Sequence, residues 1–191
     1  MENVAYIDPP RTERIEGKTY LMSPQPRMKH IFIAIHIFDV FNHYLKGKTC
    51  TAIPDGADVH LDNENVYVPD AMIVCDRSKI HDNGVYGAPD LVVEVLSPST
   101  RKHDRGPKMQ HYAAAGVKEY WIVDPLAEAV EVYLNHDGVF VLDEIYEDYD
   151  DEDRARMTEK ELADIHTDIP VSLYDDFIVH LHDIFEDTTF E

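Results

Sequence analysis

An α/β (α+β) fold, with a central mixed β-sheet flanked by helices, is predicted by three features of the sequence. Apolar periodicities run in the order helix, several short strands, helix, strands, the order a mixed sheet covered by helices requires. Residues 91–96 are apolar on both faces except at Glu94, the pattern of a strand buried inside a sheet. Apolar residues make up 44% of the 191 and charged residues 29%, which suits one folded unit and excludes wholesale disorder.

The elements follow in order. Pro9, Pro10, Pro24 and Pro26 bracket residues 14–22, which read as two brief strands turning at Gly17. Residues 28–46 place Ile31, Ile35, Phe38, Val40, Phe41 and Leu45 at largely helical spacing and close at Gly47. Strands are predicted at 49–53, 59–61 and 67–75, separated by Asp55-Gly56 and Asn63-Glu64-Asn65 turns. The buried strand 91–96 ends at Ser97-Pro98-Ser99-Thr100. Pro107 is tolerated only in a helix's first turn, so a helix runs from about 106 to 115 and stops at Gly116. A strand at 119–123 ends at Asp124-Pro125, and 129–134 with 139–142 form a hairpin about Asp137-Gly138. Residues 144–153 hold seven carboxylates and read as a solvated loop. The expected organisation is one domain over 1–145, with an acidic extension over 146–191 packed on it or appended to it.

Charge narrows the function. The net charge is −21, of which 143–191 contribute −15 and 1–142 only −6. A nucleic-acid partner normally leaves a basic footprint. Here the sole basic cluster is Arg101, Lys102, His103 and Arg105, so DNA as a partner is disfavoured by charge. The longest apolar stretch, 31–41, is interrupted by His36 and Asp39 and falls short of the ~18 residues a membrane span needs. The first residues show no basic-then-apolar leader. Cys50 and Cys75 lack CxxC spacing, which argues against a disulfide scaffold or zinc ribbon. A cytoplasmic protein is expected.

Glu94 is the strongest oddity, because a carboxylate in a strand buried on both faces is costly without a cation or several donors; the plain alternative is a strand-end Glu reaching solvent or a structural Arg. Asp70, after Pro69, suits either a turn cap or a metal site. Adjacent strands could bring Asp70 and Glu94 together as oxygen ligands for a hard cation. Asp90 lies four strand residues from Glu94, roughly 13 Å, too far to share an ion. Lys108 falls in the first turn of the next helix, and Asp104, Lys108 and Tyr112 repeat every four residues, on one face. The eleven histidines make no metal motif; His30, at the head of the first helix, either points to the site or caps the helix.

Taken together, Tyr67-Val68-Pro69-Asp70, the run from Gly87 through Glu94 to Thr100, Asp104, Lys108, Tyr112 and the run from Gly116 to Pro125 resemble the Uma2 family of restriction-endonuclease-like proteins, in the PD-(D/E)xK nuclease superfamily. The resemblance extends to residues 13–22 and spans roughly 11–145. It implies a restriction-endonuclease-like core and a metal-dependent endonuclease hydrolysing DNA with Mg²⁺ or Mn²⁺. Asp70 matches the metal-binding aspartate and Glu94 the acidic residue of the (D/E)xK element, with the Val95 carbonyl as a further ligand. The lysine expected two positions after Glu94 is replaced by Leu96, and Lys108 is the matching position for its role. Glu13 matches an N-terminal glutamate that completes the site. Related folds form homodimers to cut both strands, and the apolar face of residues 31–45 serves either core or interface. The alternative is a catalytically inactive binding or regulatory protein on a nuclease fold, its acidic tail mimicking nucleic acid or occluding the site.

Overall fold

Residues 91–95 are buried without exception, and the chain satisfies them by placing this strand inside a sheet with both faces covered. The computed structural model describes residues 11–22 and 26–188; Pro9, Pro10 and Pro24 lie outside them. The first half of the chain forms β1 (Thr12–Ile15), β2 (Lys18–Leu21), α1 (Met28–Leu45), β3 (Thr51–Pro54), β4 (Val59–His60), β5 (Val66–Tyr67), β6 (Ala71–Val74), β7 (Ile80–His81), β8 (Gly84–Tyr86) and β9 (Leu91–Val95). The second half forms α2 (Arg101–Asp104), α3 (Pro107–Ala115), β10 (Glu119–Asp124), β11 (Ala129–His136), β12 (Val139–Tyr146), α4 (Asp151–Arg154), α5 (Glu159–Ala163), β13 (Asp168–Pro170), β14 (Ile178–His180) and α6 (Leu181–Phe185).

The main sheet has the order β12-β11-β10-β9-β6-β3. It is mixed: β9 and β10 run parallel, and the other neighbours are antiparallel. A parallel pair needs a crossover, and α2 and α3 supply it. Alternation divides the core in two. Leu91, Val93 and Val95 face α1 with Trp121, Val123, Ala71 and Ile73, and meet Ile33, Ile37 and Phe41 there. Val92, Tyr120, Ile122 and Met72 face the opposite side, with Tyr112 of α3 and with Ile15, Val59, Tyr67 and Val85 of a second six-stranded sheet, β2-β1-β5-β4-β8-β7. Glu94 falls on this second side, between Val92 and Leu96.

Several expectations change. The segment 67–75 is not one strand. Pro69, which has no N–H to give a ladder, and Asp70 separate β5 in one sheet from β6 in the other. The helix 28–46 is present, but its inner face is Ile33, Ala34, Ile37, Phe41 and Leu45, while Ile35 is exposed; this apolar face is core. The loop before α3 contains α2, and the hairpin strands run on to His136 and Tyr146. Residues 144–153 are not all loop: β12 takes the first three and α4, capped by Asp150, the last three and Arg154. Short β7, β8 and β13 carry no readable periodicity.

Cys50 and Cys75 form a disulfide, against expectation. Thr51 pairs with Val74, so the two cysteines extend the β3–β6 ladder by one pair. Their separation of 25 residues hides that proximity in the sequence. No helix among the described residues is long and apolar enough to cross a membrane.

Candidate active site

The site forms at the carboxyl end of β9, where the chain leaves the sheet for its crossover, the usual place for a ligand crevice in open α/β sheets. Ala71 pairs with Val93, so one further step of that antiparallel register brings Asp70 level with Glu94. The break at Pro69 lets Asp70 turn inward. Its N–H donates to the Val93 carbonyl at 3.1 Å, and its Oδ2 accepts from the Val95 N–H at 2.7 Å. His30, in the first turn of α1, brings its Nε2 to 3.0 Å from the Val95 carbonyl oxygen and 3.5 Å from Asp70 Oδ2. Burial disfavours the His30 cation, but the hydrogen bond and charge of Asp70 and the Val95 carbonyl outweigh it and raise its pKa.

Beside this lies a buried charge cluster. Lys108, only 2% exposed, directs its Nζ to both oxygens of Glu94 at 3.2 Å, to Glu13 Oε1 at 2.7 Å and to Asp104 Oδ1 at 3.2 Å. Glu13 comes from β1 and also accepts from the Val68 N–H at 3.2 Å, tying the second sheet to the site. Among the described residues neither Asp104 oxygen, nor the Tyr112 hydroxyl, has a hydrogen-bond partner, although all three atoms are buried and Asp104 Oδ1 keeps its ion pair with Lys108. Burial pushes the Glu94 carboxyl well above its usual range; Lys108 opposes the shift, and Asp104, Asp70 and Glu13 add to it. Burial works against the Lys108 ammonium, yet Glu94, Asp104 and Glu13 together hold its pKa well above the ordinary lysine value.

Asp70, Glu94 and Lys108 line one pocket of about 640 Å³, with His30, Arg11 and Arg27 on its wall. Glu13 stands behind Lys108. The Asp104–Lys108–Tyr112 ladder is present, all three buried, although it bends between α2 and α3. Asp90 has a structural task, accepting from the Cys75 N–H at 2.7 Å and pairing with Lys118 at 2.9 Å. The basic cluster partly faces elsewhere, since Arg105 forms a two-point pair with Glu131. Arg11 and Arg27 break no pattern that would have marked them as site residues. Among the described residues no residue beyond Lys108 lines the pocket, so the acidic C-terminal segment does not occlude it there. A second pocket, of about 560 Å³, includes Asp168, His180 and Glu186 and shares no lining residue with the first. His180 ends β14 and pairs with Asp168 at 2.8 Å, and His182 lies in α6. Among the described residues no three His, Cys, Asp or Glu side chains form a ready metal cage.

Fold and site together define an α/β protein with a buried acid–lysine cluster at the carboxyl end of a central strand. The chain belongs to the Uma2 family, described as "Putative restriction endonuclease", which matches residues 5–166. Its fold is similar to the crystal structure of "a putative nuclease belonging to DUF820" from Anabaena variabilis ATCC 29413. That likeness has a TM-score of 0.70 at 23% identity and covers 94% of this chain and 92% of that one. Two uncharacterized proteins of Synechocystis sp. are also similar. The protein slr1290 is 29% identical over 133 residues, 68% of this chain and 70% of its own length. The protein sll1609 is 31% identical over 75 residues, 38% of this chain and 42% of its own.

Proposed function

We propose that this protein is a metal-dependent endonuclease hydrolysing phosphodiester bonds in DNA, with Mg²⁺ or Mn²⁺ held by Asp70, Glu94 and the Val95 carbonyl. The observation that carries the reading is the meeting of Glu94 and Lys108 at 3.2 Å in the pocket that Asp70 also lines. Membership of a family described as "Putative restriction endonuclease" supports it. The donor set suits the ion, because carboxylate and carbonyl oxygens are what hard divalent cations take. With no ready side-chain cage among the described residues, such an ion would keep water among its ligands, as Mg²⁺ commonly does. When bound, it would acidify a water and offset phosphate charge.

The chain's own groups do the rest. The Val95 N–H fixes the Asp70 carboxylate in orientation. Lys108 stays protonated under the pull of three carboxylates and offers a cation to the charge that grows on phosphate oxygens in the transition state. Glu13 and Asp104 hold that ammonium in position. Arg27, on the pocket wall, adds positive charge toward an approaching backbone.

A second reading is favoured by one observation: Lys108 is nearly inaccessible and already engaged by three carboxylates, in a chain of net charge −21. On that reading the protein is an inactive nuclease fold that binds or regulates. The test is cleavage of single- and double-stranded DNA with Mn²⁺ or Mg²⁺ by matched preparations of wild type, Glu94→Ala and Lys108→Ala. The expected result is metal-dependent cleavage that falls at least ~10²-fold in both variants. Equal cleavage by all three would mark a contaminant and remove the proposal; no cleavage together with no Mn²⁺ binding would establish the second reading.

A further inference from the structure

We infer that His30 belongs to the cation site itself, as a nitrogen ligand through Nε2 that makes the site prefer Mn²⁺ and other imidazole-binding transition metals over Mg²⁺. The inference rests on the metal-dependent reading above and extends it to a residue and a metal preference. The geometry is the starting point. His30 Nε2 lies 3.0 Å from the Val95 carbonyl oxygen and 3.5 Å from Asp70 Oδ2. Neighbouring ligands around an octahedral cation held at about 2.1 Å are themselves about 3 Å apart. His30 Nε2 thus stands from each of these two oxygens at close to the separation of adjacent ligands in one coordination shell, at the wall of the pocket that Glu94 also lines.

The helix does not need this histidine locally. The N-terminus of α1 has no side-chain cap, and His30 reaches instead across 65 residues of sequence to the end of β9. The imidazole is held there by the packing of α1 on the sheet, since Ile33, Ala34 and Ile37 of the following turns are buried against it. Nε2–H donates to the Val95 carbonyl. With a cation present the same nitrogen, unprotonated, is a ligand, as metal-bound imidazoles require. Imidazole suits transition metals, whereas Mg²⁺ takes oxygen donors, so the histidine tilts an otherwise all-oxygen site toward the former.

The experiment loads wild type, His30→Gln, His30→Leu and Asp70→Asn with Mn²⁺ and records binding isotherms and the pulsed electron paramagnetic resonance of the bound ion. The expected result is ¹⁴N modulation from a directly bound imidazole in wild type, absent from both His30 variants. Their Mn²⁺ dissociation constants should rise roughly tenfold or more, with a smaller change for competing Mg²⁺. Bound Mn²⁺ without nitrogen modulation in wild type overturns the role of His30 whether or not the variants fold. Modulation that persists in both variants, or unchanged Mn²⁺ affinity, overturns it equally. If wild type binds Mn²⁺ without nitrogen and Asp70→Asn abolishes binding, the metal-dependent reading stands and this inference alone falls. If wild type binds no Mn²⁺, both fall.

Discussion

Lys108 faces Glu13, Glu94 and Asp104 with all four groups withdrawn from water. Ionised together they would leave a net charge of −2 with no solvent to disperse it, an expensive arrangement. The cluster answers by holding protons. Lys108 keeps its own, and Glu94, raised first of all by burial, retains one to higher pH than an exposed glutamate. The sign follows from linkage. A carboxyl whose folded pKa lies above its unfolded value of 4.5 contributes stability below about that pH, and loses it as pH rises through the raised value. The Lys108 contribution is complete below 10.5 and disappears only above it. Between these limits Glu94 governs. Glu94→Gln, which removes the ionisable carboxyl and leaves Lys108 with two partners, is expected to exceed wild type in stability by on the order of 1 kcal/mol. The gap should be wider at pH 8 than at pH 5 in paired thermal melts. A wild type as stable as the variant at pH 8 would refute this account.

At the same scale, the residues that could be read from the sequence are those that break a pattern. Glu94 interrupts an apolar strand, Asp70 follows a proline inside one, and Lys108 repeats at four-residue spacing with Asp104 and Tyr112. His30 interrupts nothing. A histidine in a first helical turn is ordinary there, and only the placement of α1 over β9 gives it a partner. The Cys50–Cys75 pair was hidden for a related reason, because proximity across a ladder depends on register.

The element that sets Lys108 is α3 with the α2–Gly106 turn before it, and the glycines at the two ends of α3 act differently. Gly116 ends α3 at φ 95°, where its N–H and that of Val117 bond back to Ala113 and Tyr112. A side chain there meets open space but a strained backbone, so Gly116→Ala should cost about 1 kcal/mol. Gly106 has an ordinary φ of −127°, but an added Cβ would stand 2.7 Å from the Lys102 carbonyl oxygen. That contact forces α2 away from α3 and costs roughly 1–3 kcal/mol, dragging Asp104 from Lys108. Thermal unfolding should therefore rank wild type above Gly116→Ala above Gly106→Ala, the first step being about 2–4 °C. A Gly106→Ala protein melting with wild type would show that the turn has slack. The sequence marked both ends of α3, through Pro107 and Gly116, since these residues act locally. It did not mark α2, which is four residues long and held by what surrounds it.

Over the whole molecule, the acidic C-terminal segment is part of the core. In the sequence, 16 carboxylates against three basic residues over 146–191 conceal the spaced apolar positions between them. Those positions are buried: Ile169, Val171, Phe177, Val179, Leu181 and Ile184 join the cluster that α1 forms with the main sheet. Glu119, at the start of β10, is wholly buried and accepts from the Ser172 N–H at 2.8 Å, the Ser172 hydroxyl at 2.5 Å and Trp121 Nε1 at 2.6 Å. Removing the segment therefore uncovers apolar surface and strips two of three donors from a buried carboxyl at once. Six such side chains, at ~1.5–3 kcal/mol each for full burial, match the ~5–15 kcal/mol by which a whole domain is stable. A chain ending at residue 146 is thus expected to lack a cooperative unfolding transition and to expose its core to a hydrophobic dye, whatever its effect on DNA. The measurement is circular dichroism on heating, with dye binding in parallel. A truncated chain that melts cooperatively within a few degrees of the full-length protein would show that the main sheet and α1 suffice without the acidic segment.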